Sequence, residues 1–218
     1  MKTTLDFLQD LSQHNHREWF VENKTRYESA KAEFIPFIEQ MIREIGLFDA
    51  DIAPLEAKQC IFRINRDIRF SKDKSPYKTN MGAFLGRGGR QTRYAGYYIH
   101  LQPGGESFFG GGLYMPPAPD LAAVRQEIDY HIEEFLGIVQ AEDFKTQLGQ
   151  IQGERVKTAP KGYAKDHPYL PWLQFKSYAV WSNFSDEQVQ AEDFLEKVVQ
   201  AARTLHPLVI FLNRALGD

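Results

Sequence analysis

The sequence predicts an α+β protein, a single domain over residues 1–218 with an antiparallel or mixed β-sheet flanked by N-terminal, middle and C-terminal helices. Three observations carry this. Apolar residues recur at helical spacing near both ends and again after Pro119. Between Gln59 and Tyr114 the apolar period changes to two. The two patterns are segregated along the chain rather than alternating, and no repeat, linker or low-complexity tract interrupts them.

The elements follow in order. Thr4 is placed to cap a first helix carrying Leu5, Leu8 and Leu11. Asn15 and Glu18 have capping-box spacing and start a second. Phe20, Tyr27, Ala30, Phe34, Met41 and Ile45 continue at helical spacing, with Pro36 expected to kink or restart the helix and Gly46 to follow its end. From Gln59, residues Cys60, Phe62, Ile64, Ile68 and Phe70 would form one face of a strand. Arg63, Asn65, Asp67 and Arg69 would form the other, with Arg63 and Asp67 about 13 Å apart. Arg66 falls on the apolar face, so the strand ends or bulges there, or Arg66 is buried and paired.

Pro76 forbids a helix through Ser75, and residues 71–79 read as a loop. Gly82, Gly86, Gly88 and Gly89 lack the Gly-Lys-Ser/Thr ending of a phosphate loop and read as bends between strands. Tyr94 to Gln102 alternates, with Ala95, Tyr97, Ile99 and Leu101 on the core face and Tyr94, Tyr98 and His100 opposite. A turn at 103–106 leads to a return strand over 107–114, where Gly110, Gly111 and Gly112 permit close backbone approach. Asp120 is placed to cap a helix through Val139, and a shorter helix follows from Glu142. Residues 157–171 read as a loop and residues 177–184 as a strand. Ser185 and Gln188 form a capping box before a helix through Ala202, and Pro207 separates that helix from a last apolar turn.

Composition narrows the function classes. A content of 43% hydrophobic and 25% charged residues is ordinary for a globular protein. The lone Cys60 permits no internal disulfide and fits a reducing compartment. The first ten residues have no apolar leader core, and Leu208 to Leu212 is too short to span a bilayer. The expected location is therefore cytoplasmic, with no membrane partner.

The formal charge of −3 hides a strong asymmetry. Residues 57–103 carry ten basic and two acidic side chains, between flanks that are both net acidic. The density peaks in Arg63 to Thr79, with six cations and two anions. Either this stretch presents positive potential to a ligand, or the acidic flanks fold over it and neutralise it.

The run Arg66 to Lys78 resembles the hallmark of domain-of-unknown-function family 2461, found in bacteria and fungi. Asn15 to Phe20, Tyr97 to Pro103, Arg125, Pro160 to Tyr163, Asp166 to Pro168 and Pro207-Leu208 match in order, so the likeness covers nearly the whole chain. His14 departs from an expected asparagine. The resemblance implies a single domain and brings no established activity.

Three functional readings stand. In the first, the stretch binds a phosphate-bearing small molecule or single-stranded nucleic acid. Arg63, Arg66 and Arg69 would grip oxygens, Lys72, Lys74 and Lys78 would add charge, and Tyr77, Tyr94 and Tyr98 would stack on a base or sugar. In the second, the protein is a hydrolase or transferase acting on that ligand, with Asp67, Asp73, His100, Asp166 and His167 as candidate acid–base groups. In the third, it has a non-catalytic interaction or structural role and the basic stretch is paired internally. No cofactor is expected. His and Asp lack ligand spacing, so no metal is expected either, and Cys60 on an apolar face reads as inert packing.

Overall fold

The structure, a computed structural model, describes residues 1–217. Its elements are α1 (Lys2–Gln13), α2 (Arg17–Glu22), α3 (Lys24–Gly46), α4 (Ala57–Cys60), β1 (Met81–Gly86), β2 (Gly96–Leu101), β3 (Ser107–Leu113), α5 (Ala118–Tyr130), α6 (Ile132–Val139), α7 (Glu142–Leu148), α8 (Leu170–Leu173), β4 (Tyr178–Phe184), α9 (Asp186–Gln190) and α10 (Phe194–Leu216). The strands form one antiparallel sheet in the order β1-β2-β3-β4. The α+β class is as the segregated periodicities imply. The chain packs as two compact units, one made of Met1–Arg90, Tyr98–Phe109 and Asn183–Val199, the other of Gln91–Tyr97, Gly110–Ser182 and the residues from Gln200 on.

In the first unit, α1 buries Leu5, Phe7, Leu8 and Leu11, and α3 buries Phe34, Phe37, Ile38, Met41 and Ile45. Phe37 stacks on Phe194 at 5.4 Å. Thr4 does not cap α1, which begins two residues earlier. Its N–H instead donates to Glu33 of α3 at 2.7 Å, a cap supplied from another helix. Pro36 neither ends nor restarts α3, because the long buried face on either side holds the helix through the lost hydrogen bond. Gly46 is the last residue of α3 rather than a left-handed residue beyond it. A Cβ there would lie 2.8 Å from Ala53 Cα.

The second unit buries Tyr97, Val124, Ile128, Phe135, Tyr178, Leu205 and Phe211. The middle helix breaks at His131, giving α5 and α6. Asp120 is not the cap of α5, a place held by Pro117. It lies buried in the first turn and pairs with Arg93 at 2.5 Å. The Gly110–Gly112 run serves a close approach to neighbouring strands. Cβ atoms there would fall 2.1 Å from Val180 O, 2.2 Å from Gly96 O and 2.1 Å from Tyr178 O. The Ser185–Gln188 capping box forms, but α9 ends at Gln190 and a new helix starts at Phe194. Pro207 lies inside α10, whose Leu205, Leu208, Phe211 and Leu212 are all buried.

Candidate functional site

The expected strand from Gln59 to Phe70 does not form. Ala57 to Cys60 is a helical turn, and beyond it only Ile61 and Asn65 make isolated bridges, to Ala83 and Tyr77. Lys78 N–H donates to Ile64 O at 2.8 Å and Arg66 N–H to Pro76 O at 2.9 Å, closing a loop over residues 67–75. The period of two misled because Phe62 and Phe70 are not core residues. Phe62 is 37% exposed and Phe70 94% exposed.

Asn15 fastens the base of this loop. Its Nδ2 donates to Tyr77 O at 3.0 Å, and its Oδ1 accepts from Tyr77 N–H at 3.1 Å. One side-chain amide thus stands in for a strand neighbour. His16, not Asn15, caps α2, accepting from Trp19 N–H at 3.4 Å. The Tyr77 ring is buried and stacks on Phe20 at 4.0 Å. Tyr77 therefore anchors the loop and has no face to offer a ligand.

The cations of the stretch divide into two sets. Arg69 grips Asp67 with two bonds, Nε to Oδ1 at 2.9 Å and Nη2 to Oδ2 at 2.6 Å. Arg66 is half-buried and bonds to Asp73, whose Oδ1 also accepts from Ser75 N–H at 2.9 Å and Ser75 Oγ at 2.6 Å. The Arg69 bonds hold the Asp67 carboxyl below its ordinary range, and the Ser75 bonds followed by the Arg66 bond do the same for Asp73. Both acids are thus charge anchors rather than proton donors. Arg66 is paired and half-buried, so the pairing foreseen for it is realised, while no strand forms there to end or bulge.

The second set has no carboxylate. Lys74 Nζ donates to the Ile68 carbonyl at 2.9 Å. Lys78 Nζ sits 5.4 Å from the centre of the Phe62 ring. Among the described residues, Arg63 and Lys72 have no hydrogen-bond or ion-pair partner. The acidic flanks do reach cations outside the stretch, Asp51 with Arg87 at 3.5 Å, but none reaches these four. Burial pulls the Lys78 ammonium below its ordinary range, and the neighbouring Arg63 adds to the effect.

Next to Lys78 lies an aromatic sheet face in the same unit. Phe62 meets Tyr98 edge-on at 6.1 Å, Tyr98 meets Phe108 at 5.6 Å, and His100 stacks on Phe108 at 4.7 Å. Alternation along β1 puts Phe84 on this face together with Gly82, where a Cβ would lie 2.7 Å from the Tyr98 hydroxyl oxygen. Tyr98, His100, Phe108 and Phe84 are half-buried, whereas Ile99 and Leu101 on the reverse face are fully buried. His100 is fixed by two bonds. Its Nε2 is 3.1 Å from Gln102 Oε1 and its Nδ1 is 3.1 Å from the Tyr98 hydroxyl. The Gln102 amide nitrogen donates to Glu106, so Oε1 faces His100 and Nε2 carries the ring proton. Burial lowers the His100 pKa, keeping the ring neutral at pH 7.

Asp166 and His167 belong to the second unit, and no residue of the stretch is among their partners. His167 Nδ1 accepts from Tyr169 N–H at 3.2 Å, so Nε2 bears the proton and donates to Asp129 at 3.1 Å. Both nitrogens are committed, which suits a positioning role better than general-base work. Asp166 is exposed in a turn. Arg125 donates to Phe175 O at 2.9 Å and leaves Nε buried without a hydrogen-bond partner.

No group of three or more His, Cys, Asp or Glu among the described residues could hold a metal ion. Cys60 is buried, and desolvation pushes its thiol up to about 11. Among the described residues, no helix is long and apolar enough to cross a membrane. Phe62, Phe70, Phe84 and Phe108 were not singled out as site residues from the sequence. The available signal was two phenylalanines interleaved among arginines and lysines, which the alternation assigned to the core.

The family model described as conserved hypothetical protein (DUF2461) matches residues 3–211. The chain belongs to that family. The match includes both the basic loop and the Asp129–His167 pair, so these features lie within the DUF2461 region. No curated protein and no solved structure matches the chain.

Proposed function

We propose that the protein binds a phosphate-bearing ligand through the basic stretch from Arg63 to Lys78. The observation that carries this is the unpaired set. Among the described residues, Arg63, Lys72, Lys74 and Lys78 have no carboxylate within ion-pair distance, while Arg66 and Arg69 use the loop's own two acids. The Arg69–Asp67 pair is solvent-exposed and the Arg66–Asp73 pair partly so, and an exposed carboxylate holds a guanidinium weakly enough for a phosphate to compete for it. The loop itself is cheap to rearrange. It is closed at its base by Arg66 N–H to Pro76 O and Lys78 N–H to Ile64 O, and inside it the bonds are to side chains.

A transferase or hydrolase on this ligand needs a proton carrier at the loop. Asp67 and Asp73 are held ionised, and the two nitrogens of His100 are both bonded, so binding is the function the geometry supports best.

The test is thermal unfolding with inorganic tripolyphosphate. A ligand at a hundred times its dissociation constant stabilises by about 2.7 kcal/mol, a rise in Tm of roughly 5–10 °C for a chain of this length. The rise is expected to shrink in Arg63→Ala and Lys72→Ala, and to persist in Arg214→Ala, a cation of the second unit. A rise that is equal in all three variants would sink the assignment.

A further inference from the structure

We infer that the phosphate-bearing ligand is a single-stranded nucleic acid, held by base stacking on the aromatic residues beside the cations. This rests on the phosphate-binding reading of the same site and adds what that reading does not require, the recognition of bases.

The argument starts from where the aromatic rings sit. A site for free phosphate or polyphosphate needs only cations and N–H donors. Here cations lie against rings at two places. Lys78 lies over Phe62, Phe62 meets Tyr98, and Tyr98 meets Phe108, all within one unit. At the loop, Arg69 lies 5.8 Å from the ring of Phe70, which is 94% exposed and followed in sequence by Lys72 and Lys74. An apolar ring held out in water gains nothing from the fold, and it has no apolar neighbour in this structure to cover it. A half-buried row of rings on the open face of a sheet, with Lys78 at its Phe62 end, suits a chain that presents a flat base and a charged phosphate at each repeat. The charge complements that chain. Glu106, beside His100, is bonded to Gln102, and the loop's Asp67 and Asp73 are each bonded to an arginine.

The duplex is a poorer fit. Its bases are stacked inside and offer no faces to rings. The acidic flanks also leave a narrow basic strip rather than a broad basic surface.

The experiment is fluorescence anisotropy on the full chain with a labelled twelve-nucleotide oligo(dT) or oligo(U). The matched probes are an abasic oligonucleotide of the same length, inorganic polyphosphate, a duplex of the same length, and vesicles containing phosphatidylserine. The expected result is binding of the single strand, with log K falling against log salt at a slope of about −3, as for four neutralised phosphates. Phe62→Leu and Phe70→Leu are expected to weaken the single strand about ten-fold or more and to leave polyphosphate unchanged. Circular dichroism melts of the same variants serve as the check that they fold, and the exposure of Phe70 makes its replacement structurally mild. Arg63→Ala and Lys72→Ala are expected to weaken both probes. Equal binding of the abasic strand and the oligonucleotide would overturn the inference while leaving phosphate binding intact. Preferred binding of the duplex, or vesicle binding that depends on Phe70, would also overturn it. Failure of every anionic probe, polyphosphate included, would overturn both.

Discussion

Two groups of cations in this chain have opposite fates. In the second unit, Arg214 reaches Glu127 at 2.5 Å and Glu134 at 2.7 Å, and its guanidinium lies 5.1 Å from the Phe211 ring. Arg93 likewise finds the buried Asp120. Their partners are distant in sequence, so pairing fixes one element against another. In the Arg63–Lys78 stretch the partners are two and seven residues away, or there are none. Pairing there only shapes the loop that holds it. A cation tied to a distant acid is scaffold. A cation with a local acid or no acid remains available to something outside the chain.

That comparison can be broken at its fastening point. Asn15→Ala removes both bonds to the Tyr77 backbone and is expected to cost about 2 kcal/mol, a fall in Tm of roughly 4–8 °C. Ligand binding should weaken with it. A variant that melts like wild type would show that the loop is held by other means.

The scaffold side is expected to respond less. Arg214→Ala breaks an array that is partly exposed, so a loss of about 1 kcal/mol is expected, with anion binding unchanged. A change in anion binding would contradict the division drawn above.

The aromatic face adds a pH signature. Burial depresses the His100 pKa, so the unfolded chain takes up this proton before the folded one does. Stability should therefore fall as pH drops below the ordinary imidazole value of 6.5. His100→Gln should flatten that part of the stability–pH curve. A curve of the same slope in the variant would assign the effect to another histidine.

The smallest expected effect is the most telling. Arg63→Ala and Lys72→Ala should each change stability by less than about 0.5 kcal/mol, because neither side chain has a partner to lose. A clear destabilisation by either would mean that the stretch is internal scaffolding.

Much of the fold was legible. Tyr97, Ile99 and Leu101 alternate cleanly because only one face of β2 is fully buried. The turn at Gly104 and Gly105, both with positive φ, was marked by its glycines. The Ser185–Gln188 box is a local bond pattern, so local sequence sufficed. Pro36 and Pro207 misled because each removes only one helix bond, whereas burial of the flanking residues extends over several turns. The break at Ala191 had no equivalent signal.

The candidate site was half legible. The stretch proposed for it is marked by charge density, which is a property of sequence. Its form is not so marked. Phe62 and Phe70 have the spacing of core residues, and nothing local distinguishes an exposed ring from a buried one. Asn15 has the spacing of a cap, yet its amide is used 62 residues away on Tyr77.

The sequence by itself determined the α+β class, the strands from Gly96 to Leu113, the Ser185–Gln188 capping box and the place of greatest positive charge. All of these depend on residues close together in the chain. Only the tertiary structure decided which cations keep a carboxylate, which rings stay exposed and which polar side chain closes the loop. Those outcomes depend on the competition among partners brought together by folding, and the free energy of a pair is set by burial and distance in space rather than by separation along the chain.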